Sequence, residues 1–347
     1  MAKGAVKVEY RAEIGSVTAA SDARASDRQL LSLVVELGMD GSGGRVDAEL
    51  AGADFDPPAP GDAVSVKLGI GAGLVPVFKG EAAAVEVGPA SQRVLAQDAL
   101  GLLGGAEAEG AYQDVNADFI VKDLLDQAGC KAGGAYDAGP KFAFFVAHRG
   151  RALRHLQRLA ELCGADLYTD GQGKLHFALA DTTGASHSFQ FGENLLAVNL
   201  RKVPPLWDSM EVWGEGAAGA KGADKAHWLC TDLSGVSAKA AVDDDGKVST
   251  GKLGKRPQRL VDGALRSGEA AAAVAKGRMA WIATRWVQGD VEVTGAPAVM
   301  PGDTVKLEKL PASHAAAKLL GGGRKLRVRG VRHSLDRERG LTTRLEF

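Results

Sequence analysis

One short phrase occurs twice in this chain, and it constrains the fold more than any other feature. Pro60-Gly61-Asp62-Ala63-Val64-Ser65-Val66 stands near the start, and Pro301-Gly302-Asp303-Thr304-Val305-Lys306-Leu307 near the end. Proline presets φ for a turn, glycine tolerates positive φ and aspartate bonds neighbouring backbone, so Pro-Gly-Asp leads the chain tightly into a strand. The alternation of Val64 with Val66, and of Val305 with Leu307, gives each strand one inward face. Each copy is followed, after a variable loop, by a second strand-like run ending in an apolar-basic-Gly step, Phe78-Lys79-Gly80 and Val328-Arg329-Gly330. One copy alone would mean a hairpin turn; two copies with matching return strands predict one small β-unit built twice. The positions expected to close the units are Pro60, Gly61, Asp62 and Gly80 in the first, and Pro301, Gly302, Asp303 and Gly330 in the second.

A chain of 347 residues exceeds what one core normally serves, so several domains are expected. Strand-like runs at 5–13, 30–39, 45–51, 63–69, 74–87 and 93–98 are separated by Gly, Pro, Ser and Asp clusters, and a Gly- and Glu-rich loop is expected at 101–110. The period then changes. Ile120, Val121, Leu124, Leu125 and Ala128 share one stripe of a helix opened by Asn116 and closed near Gly129. An apolar strand at 142–146 leads to a second helix with Leu153, Leu156, Leu159, Ala160 and Cys163 inward, and a hairpin turns at Asp170-Gly171-Gln172-Gly173. Later come strands at 194–202 and 209–214, mobile-looking loops at 214–225 and 243–255, a helix opened by Ser267-Gly268-Glu269, and β structure from 286 to 347. The expected fold is a β-rich α+β class: two similar antiparallel β-barrel domains with an α+β insert. The division is 1–110 first barrel, 111–182 insert, 183–262 return strands and loops, and 263–347 helix plus second barrel.

Charge and composition remove several functions. A formal net charge of -1 argues against a dedicated nucleic-acid binder. No apolar run approaches the roughly 20 residues that span a bilayer, and the polar start Met1-Ala2-Lys3-Gly4 lacks the apolar stretch of a signal peptide, so cytoplasmic synthesis is expected. Cys130, Cys163 and Cys230 form no C-x-x-C pair, which points to buried thiols rather than a disulfide framework or a zinc site. The seven histidines are scattered, no nucleophile elbow or P-loop occurs, and Asp243-Asp244-Asp245-Gly246 lacks calcium-ligand spacing. Gly321-Gly322-Gly323-Arg324-Lys325 reads as a flexible loop. No catalytic residue, metal or cofactor is expected. Arg149, Arg151, Arg154 and Arg158 give the second helix a basic face, open to two readings: a solvated face, or a docking surface for an acidic partner or nucleic acid.

The stretch from Phe144-Phe145-Val146 through Arg158-Leu159-Ala160-Glu161-Leu162-Cys163-Gly164 to Gly173-Lys174-Leu175-His176-Phe177 resembles the phage late control protein D family of baseplate hubs, which includes the hub part of VgrG spikes. The closing Val331-Arg332-His333-Ser334-Leu335 and Gly340-Leu341-Thr342-Thr343-Arg344-Leu345 is similar to that family's last hairpin, whereas Arg149-Gly150-Arg151-Ala152 departs from its pattern before the helix. The resemblance implies a homotrimeric, non-enzymatic hub of a phage-tail-like contractile particle that matches a threefold spike to a sixfold inner tube. Its implied partners are a spike, the inner tube protein and other baseplate components, with assembly in the cytoplasm and no membrane insertion; many such spikes continue into a neck and repeat-built β-helix, and with no such repeat in this sequence the spike is expected to be a separate protein. Rival expectations are a hub with cell-wall hydrolase activity in a tail or type VI system, and a nucleic-acid-binding barrel.

Overall fold

The computed structural model describes residues 7–347 except 23, 25–26, 40, 42, 53, 72, 131–132, 215–235 and 322–323. The expectations for Met1–4, His227, Cys230, most of the loop at 214–225 and Gly322-Gly323 lie outside the described residues. The first hundred residues form β1 (Val8–Ile14), β2 (Val17–Ala20), β3 (Leu30–Gly38), β4 (Arg45–Ala51), β5 (Ala63–Ile70), β6 (Val75–Val87) and β7 (Ser91–Gln97). Alternation drives them. Leu33, Val35 and Leu37, Val46, Ala48 and Leu50, and Val64, Val66 and Leu68 are all buried in one core, while the residues between them face outward.

The middle of the chain folds as α1 (Ala99–Leu103), β8 (Glu107–Asn116), α2 (Ala117–Gln127), β9 (Gly134–Tyr136), β10 (Lys141–Arg151), α3 (Ala152–Cys163), β11 (Ala165–Thr169) and β12 (Leu175–Leu179). The segment read as a loop at 101–110 is instead the end of α1 and the start of β8, which pairs antiparallel with β10. Asp98 caps α1 by accepting the Leu100 and Gly101 N–H groups, and burial pushes its carboxyl pKa up. α3 buries Leu156, Leu159, Ala160 and Cys163 as its spacing predicts, and Gly164, at φ +66°, ends it in the left-handed conformation. Cys163 is buried and Cys130 partly so; burial pushes the Cys163 thiol pKa up.

The remainder comprises β13 (Ser186–Gln190), β14 (Leu195–Lys202), β15 (Ser209–Trp213), β16 (Ser237–Val242), β17 (Val248–Thr250), β18 (Pro257–Val261), α4 (Gly268–Ala283), β19 (Val287–Thr294), β20 (Thr304–Glu308), α5 (Ala315–Leu320), β21 (Leu326–Arg327), β22 (Gly330–Asp336) and β23 (Gly340–Glu346). Ser267 caps α4 by accepting the Ala270 N–H, as expected from the sequence. β15 to β18 form their own sheet, and α4 packs its Val274, Ala275 and Met279 into the same core as α2 and α3. The 243–255 segment, expected to be a mobile loop, contains β17, paired with β16.

The two β-rich ends are not separate barrels. β3 pairs with β22, so the ends merge into one eleven-stranded sheet ordered β14-β19-β23-β22-β3-β4-β7-β6-β5-β1-β2. The expected pair of similar antiparallel β-barrels is not found as closed barrels: the sheet has open ends at β14 and β2, and no closed ring of strands occurs among the described residues. An edge strand must pair, be covered or be blunted, and here the edge of β3 is satisfied by the other end of the chain.

Candidate functional site: two matched units and the joint between them

The Pro-Gly-Asp phrases fold alike down to individual hydrogen bonds. Gly61 has φ +93° and Gly302 φ +92°, a region that favours glycine. Asp62 Oδ2 accepts the Ala59 N–H at 2.9 Å, and Asp303 Oδ2 accepts the Met300 N–H at 3.0 Å. The Asp62 N–H donates to Ala59 O at 3.0 Å, and the Asp303 N–H to Met300 O at 3.2 Å. Gly61 N–H reaches Ala82 O and Ala82 N–H returns to Asp62 O, both at 2.8 Å; Gly302 N–H reaches Val328 O at 2.9 Å and Val328 N–H returns to Asp303 O at 2.8 Å.

These bonds fix the equivalence of the return strands, and it differs from the sequence phrase. Ala82 corresponds to Val328. Ala63↔Glu81 and Val64↔Gly80 in one unit match Thr304↔Arg327 and Val305↔Leu326 in the other, so the counterpart of Gly80 is Leu326. Gly80 lies where β6 passes from β5 to β7, with Gln97 O too close to admit a Cβ, whereas Gly330 begins β22 opposite Gly38. The shared apolar-basic-Gly step is therefore not a structural match.

Following the ladders outward extends the match to five strands. β3-β4-β7-β6-β5 corresponds to β14-β19-β23-β22 with β21, and β20. The first ladder slips by one residue between Leu30 and Ser32, and its counterpart slips between Leu195 and Ala197, so the same bulge recurs at the same place. Asp47 and Arg93 form a two-pronged ion pair at 2.6 and 2.8 Å; their counterparts Asp290 and Arg344 pair at 2.8 Å. Hydrogen bonding to Arg93 holds the Asp47 carboxyl below its usual pKa. The units differ by insertion: β3 runs into β4 through a short loop, while 203–286, with β15 to β18 and α4, interrupts β14 and β19.

Between the units lies the β3:β22 joint. His333 sits there opposite Val35, 1% exposed, with Nδ1 2.9 Å from Thr343 Oγ1, which also accepts the Ala296 N–H. Burial drives its pKa down to about 4. On the polar face of the joint, Arg332 pairs with Glu36 at 2.9 Å, and Glu36 also meets Arg45, along an open groove lined by Arg344 and Glu346. A second tie fastens the middle region to the second unit. Asp166, 2% exposed at its side chain, faces Arg327 at 3.3 Å and Arg329 at 3.4 Å and accepts the Trp281 indole N–H at 3.0 Å.

The second turn carries added partners: Asp303 Oδ1 accepts the Ala185 N–H at 2.8 Å, and Oδ2 lies 2.9 Å from His187 Nε2. The four arginines read as one helical face divide between two elements. Arg149 and Arg151 end β10, and Arg154 and Arg158 lie on α3. Arg149 pairs with Glu107 at 3.2 Å, Arg151 donates to Gly105 O at 2.6 Å, and the Arg158 guanidinium stands 5.7 Å from the Phe145 ring. Among the described residues no group of acidic, His or Cys side chains is placed to hold a metal, and no helix is long and apolar enough to cross a membrane. The strand-pairing equivalences escaped sequence reading although signals existed: Leu30-Leu31-Ser32-Leu33 beside Leu195-Leu196-Ala197-Val198, and Asp47-Ala48-Glu49-Leu50 beside Asp290-Val291-Glu292-Val293.

No family model and no curated protein sequence matches the chain. Solved structures do. The 43 kDa tail protein of prophage MuSo2 from Shewanella oneidensis aligns with a TM-score of 0.65 and 16% identity over 98% of both chains. A tail protein from Neisseria meningitidis MC58 aligns at 0.62 and 12% identity over 98% of this chain and 95% of that one. The E. coli c3393 protein, a component of the type VI secretion system similar in structure to the T4 tail proteins gp27 and gp5, aligns at 0.57 and 12% identity, covering 96% of this chain and 75% of its own. The chain thus shares its fold with these phage-tail and type VI secretion proteins, in keeping with the resemblance in its sequence.

Proposed function

We propose that this protein is a structural, non-enzymatic hub of a phage-tail-like contractile particle, a homotrimer whose six units match a threefold spike to a sixfold inner tube. The observation that carries the reading is the duplicated five-strand unit with its twice-built turn. A ring that meets a sixfold partner with only three chains needs two quasi-equivalent modules per chain, and a tandem pair joined edge to edge supplies them. In this reading the merged sheet forms the ring, the middle region and the 203–286 insertion contact other baseplate components and the spike, and assembly takes place in the cytoplasm before incorporation into the particle. The Asp166 tie would hold the middle region at a fixed angle to the ring, as a component between two partners requires.

Co-expression with spike and tube proteins, followed by light scattering and negative-stain imaging, tests this. A mass of three chains and ring-shaped top views are expected. A stable monomer in the presence of both partners overturns it.

A further inference from the structure

The joint between the two units leaves a matching pair of edges open. Inside the chain, β3 pairs antiparallel with β22 over seven residue pairs, from Ser32↔Asp336 to Gly38↔Gly330. The second unit's counterpart of β3 is β14, and the first unit's counterpart of β22 is the latter half of β6. β14 pairs with β19 and ends the sheet, and beyond Ala82, β6 pairs with β7 alone among the described residues. Six strands separate these two edges in the sheet, so the chain carries one filled joint and both halves of an empty one.

We propose that a second copy of the chain fills it: β14 of one protomer pairs antiparallel with residues 84–87 of the next, repeating the internal joint. This rests on the hub reading and names the surfaces through which the chains of the ring meet. The internal joint sets the register. Leu37↔Val331, Glu36↔Arg332 and Val35↔His333 map onto Lys202↔Val85, Arg201↔Glu86 and Leu200↔Val87.

The side chains at those positions suit each other. Glu36 and Arg332 form an ion pair across the internal joint; at the open edges the same two positions hold Arg201 and Glu86, with the signs exchanged and the attraction kept. Arg201 is exposed and has no ion-pair partner among the described residues, and Glu86 meets the half-exposed Arg93 at 3.6 Å. Val87 is 62% exposed, and it would stand opposite Leu200, which packs against the second unit's core. Pro204 and Pro205 after β14 and Pro89 after β6 bound the pairing, because proline has no N–H to offer a ladder. The joint is head-to-tail, so each chain uses its two open edges on two different neighbours. Such contacts close into a ring when the rotation per joint divides a full turn.

Sedimentation and native mass measurements on the full-length protein test the register, using Arg201→Glu, Glu86→Arg and the two combined. Each single variant sets like charges against each other and is expected to weaken assembly by about tenfold or more, and the double variant to restore it. Both positions are exposed, so at dilutions where parent and variants alike are monomeric their thermal melts should overlay. Single variants that assemble like the parent overturn the proposed edge while leaving a trimeric hub intact, as does a double variant that assembles no better than the singles. A parent that stays monomeric with spike and tube proteins overturns the hub reading, and this proposal with it.

Discussion

The two Pro-Gly-Asp turns share backbone and hydrogen bonds but not surroundings. Pro60 and Gly61 are exposed, and a Cβ built on Gly61 meets no atom within 4 Å. Pro301, Gly302 and Asp303 are buried, and a Cβ on Gly302 would stand 2.5 Å from Tyr168 Oη. Asp62 holds its own turn, whereas Asp303 also holds Ala185 and His187, which lead into β13. The short motif thus dictates local geometry, and the tertiary neighbours decide how much stability rests on it. In the second unit the turn has become a fastening for the segment that follows the middle region.

The contrast can be broken by paired substitutions. Asp303→Ala removes three part-buried contacts and is expected to destabilise by about 3 kcal/mol in chemical denaturation, against about 1 kcal/mol for Asp62→Ala; equal losses would dissolve the distinction. The joint adds a pH dependence that the first unit lacks, since the counterpart of His333 is the exposed Val87. His333 has a folded pKa of about 4 against 6.5 unfolded, so the unfolded chain binds the proton first. Stability is full above pH 6.5, falls as pH drops toward 4, and has lost about 3 kcal/mol below that. His333→Leu should flatten this part of a pH-stability profile. An unchanged slope would remove the imidazole from the account.

Gly302→Ala combines positive-φ strain with the Tyr168 clash and should destabilise by about 2–3 kcal/mol, whereas Gly61→Ala meets the strain alone, about 1 kcal/mol. Smallest are the matched surface ion pairs. Arg93→Gln and Arg344→Gln should each move the melting temperature by less than about 2 °C, because exposed pairs in water contribute little. A large shift from only one of them would mark a difference between the units that the shared geometry hides.

Much of this architecture was legible in the residues. The turns, the inward faces of β3 to β5, α2, α3 and the cap of α4 follow from local chemistry that acts within a few positions. What escaped depends on distance. β8 contains Gly110 and alternates weakly, with Ala108 and Tyr112 buried, and it is a strand because β10 lies beside it. Arg149 and Arg151 looked helical because the helix register was carried back past Ala152. The apolar-basic-Gly step matches the return strands on a glycine, the residue with least side-chain information, whereas Asp47 and Asp290 match the units as they fold. Insertion of 203–286 between β14 and β19 hid that correspondence, and the merging of the two units through β3 and β22 has no local signature at all.

The central claim is that two equivalent units per chain build a ring of six from three chains. The rotational power spectrum of cryo-electron microscopy top views of the assembled protein tests it most directly. The account predicts a strong sixfold component in the layer of the merged sheet and a threefold component in the layer of the middle region and the 203–286 insertion. A sheet layer with threefold power alone, or particles of any other order, would contradict it.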